Sequence, residues 1–173
     1  MNESRRTFRE LTKFDPYEYQ VQTMEELMQG NSVIVLAPTG SGKSEAILAP
    51  FVGFRKQFLP TQLIYSLPTR TLVDSITDRA KKYAASMKVV AHHGKHAESS
   101  VFEEDAVITT IDQTIGAYVS TPLSTPLKFG NIYAGAVSSA FLTFDEIHTF
   151  HPRRGLQATM ALVQQLRPLR QNL

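Results

Sequence analysis

The sequence predicts an α/β fold built on a mainly parallel sheet with helices on both faces. Three observations carry that expectation. Short β-branched apolar runs alternate with segments whose apolar residues fall at helical spacing, turn residues mark each change of period, and a glycine-rich loop joins the first apolar run directly to a helix. A length of 173 residues suits one domain with one core and leaves no room for two full catalytic lobes. With 42% hydrophobic and 20% charged residues, disordered and fibrous classes are excluded. The chain has no cysteine, which removes disulfide frameworks and thiolate zinc sites and suits a cytoplasmic setting. No apolar segment follows the opening Met1-Asn2-Glu3-Ser4-Arg5-Arg6, so no signal peptide is expected. The longest uncharged stretch, 129–144, is too short and too polar for a membrane helix, so no membrane partner is expected. A net charge of +2 does not by itself define a nucleic-acid-binding face.

The elements follow in order. Between residues 16 and 29, Val21, Met24, Leu27 and Met28 recur at helical spacing, and Gly30-Asn31 stops the helix. Residues 32–37, a continuous Val-Ile-Val-Leu run between turn residues, predict a strand buried on both faces. A helix follows over 43–59, with Pro50 marking a kink or a break. A strand at 62–66, a helix at 71–86 and strands at 88–91 and 106–110 come next. The charge-poor stretch after Gln113 predicts a helix near 114–120, a proline-rich loop at 121–127 and further buried helix. Residues 140–144 read as another buried strand. A last helix spans 154–167, with Leu156, Met160, Val163 and Leu166 on one face.

The strongest chemical signal is Ala37-Pro38-Thr39-Gly40-Ser41-Gly42-Lys43-Ser44, directly after the first apolar run. Across Thr39, Gly40, Ser41 and Gly42 the backbone N–H groups can surround phosphate oxygens, because the glycines bring no Cβ and the following helix N-terminus adds positive potential. Lys43 then reaches the terminal phosphates and Ser44 offers its hydroxyl to Mg2+. This is the pattern of a P-loop NTPase, with Ala37 where the first Gly usually stands. The second signal is Asp145-Glu146 after the apolar run at 140–144. Ligands of an open parallel sheet gather beyond the carboxyl ends of its strands, so this pair should face the loop. Asp145 can hold Mg2+, and Glu146 can orient and deprotonate an attacking water. Taken alone, such a pair more often marks an ordinary strand-to-loop transition; the upstream loop favours the chemical role.

These residues together resemble superfamily 2 helicases, over the stretch from about Phe14 to His148. The 37–44 loop is similar to motif I of that superfamily, where Ala commonly replaces the first Gly, and Asp145-Glu146-Ile147-His148 is similar to a DExH motif II. The resemblance implies a RecA-like lobe that binds ATP and Mg2+, with His148 coupling nucleotide state to nucleic-acid binding. Gln20 stands where an upstream Gln reads adenine, and Pro50 matches a proline common in these enzymes. Pro68-Thr69-Arg70 resembles motif Ia, and Thr109-Thr110-Ile111-Asp112-Gln113 resembles motif Ib. By that likeness Thr69, Arg70, Thr110 and Gln113 grip the nucleic-acid backbone. Three strings, Leu67 to Arg70, Thr110 to Gln113 and Asp145 to Phe150, look like the CRISPR-associated helicase of type I interference systems. That likeness implies ATP-driven movement 3′ to 5′ along single-stranded DNA, alongside a histidine-aspartate (HD) nuclease, fused or separate, at a crRNA-guided surveillance complex.

The sequence departs from the family after motif II. Residues 1–173 are expected to form a truncated N-terminal lobe, lacking the motif III strand, the second lobe and a nuclease domain. In such folds the missing strand lies between those carrying motifs I and II, and its loss leaves unpaired backbone groups. Arginine fingers from a second lobe contribute on the order of 10³ to 10⁵ in rate, so the isolated chain is expected to bind ATP and turn it over weakly. Two alternatives stay open: a stand-alone DExH helicase acting on RNA or DNA, and a nucleotide-binding interaction module without turnover. Arg79, Lys81 and Lys82 read as a solvated helix face. His92, His93, His96 and His151 read as polar loop residues in preference to metal ligands. Tyr17 is suited equally to stacking on adenine and to packing at a helix start.

Overall fold

The chain begins with two helices, α1 (Glu3–Thr12) and α2 (Glu18–Met28), followed by an extended segment and α3 (Lys43–Phe54). Strand β1 (Leu63–Leu67), α4 (Arg70–Tyr83), β2 (Val89–His93), the two-residue β3 (His96–Ala97), β4 (Ala106–Thr110) and α5 (Ile111–Tyr118) come next. Helix α6 (Gly130–Ser139), β5 (Phe141–Phe144) and α7 (Gln157–Arg170) complete the order. This computed structural model describes residues 3–93, 96–97, 102–119 and 130–170. The strands form one sheet in the order β3-β2-β4-β1-β5. β2, β4, β1 and β5 run parallel, with only β3 antiparallel to β2.

Helices cover both faces, which is why β1 is buried at every position and reads as an unbroken apolar run. Alternate side chains divide between two cores. Leu63, Tyr65 and Leu67 join Leu48, Phe51, Val73 and Ile108 on one face. Ile64 and Val107 join Tyr133, Val137, Leu162 and Leu166 on the other. A third cluster, Phe8, Met24, Ala49 and Phe54, fastens α1 and α2 to α3. At Gly53 a Cβ would come within 2.4 Å of Thr7 Cγ2, so the absence of a side chain lets α1 lie close on α3. The exposed pairs Arg5–Glu18 and Arg9–Asp15 lash α1 to α2 and its lead-in.

Most expected elements lie within a few residues of those observed, and four differ. Residues 32–37 do not form a buried strand. Among the described residues they pair with no other strand, and Ile34 and Leu36 are 89% and 93% exposed. The run has strand-like composition, but a strand exists only through a neighbour, and none among the described residues flanks it. Its odd-numbered residues Val33 and Val35 are half-buried. Helix α3 continues through Pro50 and ends at Phe54, short of 59, because Arg55 turns extended and Lys56 takes φ +70°. Helix α7 buries Thr159, Leu162 and Leu166, while Met160 and Val163 face solvent. Thr159 tolerates burial because its hydroxyl donates to Gly155 O at 2.8 Å. His92 and His93 belong to β2 and are buried; the expected polar loop is a strand there. The His92 ring packs edge-on against Phe102 at 4.8 Å, and His93 Nε2 lies 3.2 Å from Asp74 Oδ1. Helix α1 was not foreseen, and the proline-rich segment 121–127 lies outside the described residues. No helix among the described residues is long and apolar enough to cross a membrane.

Candidate functional site

Because β1, β4 and β5 are parallel, their carboxyl ends deliver Thr69 and Arg70, Thr110, and Asp145 to one edge of the sheet. The 37–44 loop reaches the same edge through the start of α3. Gly40 and Gly42 have φ of +79° and +83°, the left-handed region that glycine enters freely. A Cβ on Gly42 would meet Gln20 Nε2 at 2.6 Å. Gln20 is buried and engaged at both ends of its amide. Nε2 donates to Gly42 O at 2.8 Å, and Oε1 accepts from Tyr17 N–H at 2.8 Å. Tyr19 adds a second tie, its hydroxyl donating to Ser41 O at 2.7 Å. From inside, Lys43 Nζ donates to Ala37 O at 3.0 Å and Pro38 O at 3.2 Å. The loop is thus held by α2 and by its own lysine, with Thr39 and Gly40 exposed.

Asp145 is fixed through both carboxylate oxygens. Oδ1 accepts from Glu146 N–H at 2.8 Å, and Oδ2 accepts from the Tyr65 hydroxyl at 2.7 Å. Ser44, buried at the start of α3, lies close to that same hydroxyl. Burial, followed by the adjacent Asp145 charge, pushes the Tyr65 hydroxyl well above the ordinary phenol range, so it keeps its proton and acts as donor. The start of α3 and the acidic pair are thus brought together beside Tyr65. Glu146 sits at φ +53°, held by Thr149, whose N–H and hydroxyl both donate to Glu146 O, at 2.9 and 2.8 Å. Its Oε2 lies 3.4 Å from Nε2 of the exposed His148.

Of the residues expected at nucleic acid, Thr69 and Arg70 are exposed, Thr110 is half-buried and Gln113 is buried. Thr69 also caps α4, accepting from Leu72 N–H. A hydrogen bond of 2.6 Å between Ser66 Oγ and Thr114 Oγ1 joins the end of β1 to α5. Arg79 pairs with Glu45 at 3.4 Å and so ties α4 to α3, whereas Lys81 and Lys82 face solvent. Tyr17 is exposed and stacks on Tyr19. Among the described residues no three His, Cys, Asp or Glu side chains group to hold a metal ion. Sequence reasoning overlooked Tyr65. The available signal was a hydroxyl inside a strand buried on both faces, where a phenol needs a polar partner.

A parallel sheet with a glycine-rich loop and an acidic pair at one edge defines a P-loop nucleotide-binding lobe. The family description for DEAD/DEAH box helicase matches residues 17–173, and the chain belongs to that family. It is 24% identical over 180 aligned positions to the putative CRISPR-associated nuclease/helicase Cas3 of Methanocaldococcus jannaschii, covering 91% of this chain and 24% of that protein. It is 26% identical over 147 positions to the CRISPR-associated helicase Cas3 of Thermoproteus tenax, covering 75% of this chain and 26% of the relative. The chain thus spans about a quarter of the length of these curated relatives. Its fold is similar to the crystal structure of the DUF1998 helicase MrfA bound to DNA and AMPPNP. The TM-score is 0.66 at 18% identity, over 86% of this chain and 21% of that one.

The residues fit a magnesium nucleotide. The loop turns at glycines, one of them with no room for a Cβ. Its lysine rests on carbonyl oxygens that a phosphate oxygen could replace. Ser44 and Asp145, which converge on Tyr65, are hard oxygen donors. Mg2+ is commonly held by few protein oxygens together with substrate phosphates.

Proposed function

We propose that this chain is the ATP-binding lobe of an ATP-dependent DNA helicase or translocase of the CRISPR-associated type, moving 3′ to 5′ on single-stranded DNA. The observation that carries the reading is the Tyr65 hydroxyl, hydrogen-bonded to Asp145 with Ser44 close beside it, which brings the phosphate loop to the acidic pair. In this reading the N–H groups of Thr39 to Gly42 and the Lys43 ammonium bind the phosphates. Gln20 sits at the adenine side and keeps the loop in shape. Ser44 and Asp145 hold Mg2+, which when bound neutralises charge on the phosphates. Glu146 orients a water and takes its proton, and its 3.4 Å contact with His148 offers a route by which nucleic-acid binding affects that carboxylate. Thr69, Arg70 and Thr110 contact phosphates of the strand, with Gln113 beneath them.

The same reading makes the chain one lobe of a longer machine, completed by a second lobe, with an HD nuclease and a crRNA-guided complex as further partners. Its support is the quarter-length overlap with the Cas3 relatives and the unpaired run at 32–37. In this reading a further strand pairs with that run. Alone, the chain binds nucleotide and turns it over slowly.

The primary test is binding of Mg-ATP to the chain and to its Lys43→Ala variant by calorimetry. Loss of measurable binding in the variant is expected, and equal affinity overturns the reading. Binding of single-stranded DNA and RNA of equal length, at stated salt, tests the choice of strand. Tighter binding of RNA would favour a DExH helicase acting on RNA.

A further inference from the structure

Tyr65 belongs to no sequence motif, yet it binds one of the two side chains assigned to Mg2+ and lies close to the other. It lies in the middle of β1, 1% exposed, its ring fixed within the core beneath α3 and α4. Its hydroxyl donates to Asp145 Oδ2 at 2.7 Å and lies close to Ser44. Ser44 starts a helix above the sheet, while Asp145 follows an edge strand that pairs with β1. No backbone ladder joins these two elements, so their separation depends on side chains between them. Packing alone does not require the hydroxyl, because a phenylalanine fills the same space. The other Asp145 oxygen is occupied by Glu146 N–H, so the phenol completes a fixed carboxylate orientation.

We propose that Tyr65 is a positioning residue for the divalent cation, its hydroxyl fixing the orientation of Asp145 beside Ser44 before the nucleotide arrives. This assignment rests on the proposed Mg2+ role of those two residues. A carboxylate already held in its working orientation loses less freedom on coordination. Hydrogen-bond partners that orient metal ligands contribute about 10- to 100-fold in metal affinity.

Tyr65→Phe removes only the hydroxyl. With a fluorescent ATP analogue and the whole 173-residue chain, Mg2+ is titrated and its half-saturation read from analogue binding. The variant should need about tenfold more Mg2+, while its affinity in EDTA stays within about twofold of the parent chain. An unchanged Mg2+ half-saturation overturns the proposal. So does equal weakening with and without Mg2+, since that marks a role in the fold alone. In an Asp145→Asn background, Tyr65→Phe should add nothing to the Mg2+ requirement; a further tenfold effect would show that it does not act through Asp145. A second readout leaves position 65 untouched. In the parent chain carrying 13C-labelled tyrosine, the ring resonance displaced by Asp145→Asn should shift when Mg2+ is added to nucleotide-saturated protein. A resonance that stays in place overturns the proposal. If the parent chain binds no nucleotide at all, the phosphate-loop reading falls and this inference with it. Normal binding with an unmoved Tyr65→Phe sinks the inference alone.

Discussion

Two apolar runs of nearly the same character meet opposite fates in this molecule. Leu63–Leu67 lies between two parallel neighbours with every residue buried. Residues 32–37 are as rich in Val, Ile and Leu, yet pair with no strand among those described and expose Ile34 and Leu36 almost fully. The difference is the presence of a neighbour, because a strand is stabilised by cross-strand pairs and burial more than by its own residues. The loop that follows each run differs accordingly. The Thr69 turn is anchored by a sheet, whereas the 37–44 loop is anchored by α2, through Gln20 and Tyr19, and by Lys43.

Substitutions can break this contrast or sharpen it. The largest effect is expected in the paired region. Ile64, fully buried, should cost about 2 to 5 kcal/mol on truncation to Ala, read as a lowered urea midpoint; a loss no greater than that of Ile34→Ala would erase the distinction. A smaller effect is expected at the amino-terminal edge of the sheet, where Arg55 meets Asp105 at 2.6 Å and Lys88 N–H donates to the same carboxylate. Burial pushes the Asp105 carboxyl up, but the Lys88 N–H and the Arg55 guanidinium outweigh it and hold the group below the ordinary range. A depressed folded-state value contributes stability above about pH 4 and loses it as pH falls through the lowered value. The stability gap between parent and Asp105→Asn should therefore shrink on acidification below about pH 4, from no more than about 1 kcal/mol given partial exposure. A gap that widens with acid would reverse the assignment. The smallest effect on stability is expected at Ile34→Ser, within about 0.5 kcal/mol. The same variant should reduce self-association in sedimentation runs, since an exposed, unpaired apolar edge recruits other chains. A large destabilisation there would show that the run is already half of a core.

The parallel sheet was legible because β1 and β4 are buried on both faces, and β5 is buried on one and half-buried on the other, so composition alone marks them. Residues 32–37 carry the same mark, and no local pattern could report that no strand among the described residues pairs with them. Helix α1 escaped notice because its charged sequence buries little beyond Phe8, Ser4 and Thr12. Gln20 was legible by position, but its bond to Gly42 depends on two segments folding together. His92 and His93 were misread because polar type was weighed over strand context. Tyr65 was overlooked because a residue outside any motif becomes visible only when Ser44 and Asp145 are brought to it.

Glu146 occupies a left-handed backbone conformation, which costs a residue with a Cβ on the order of 1 to 3 kcal/mol. Glycine at this position relaxes the backbone while deleting the carboxylate, so its stability can rise as its chemistry disappears. Alanine keeps the strain and loses the acid. Glutamine alone preserves backbone conformation and side-chain shape together. A mutational scan here reports two quantities at once, and only the Glu146→Gln variant separates the proposed proton acceptor from the turn that presents it.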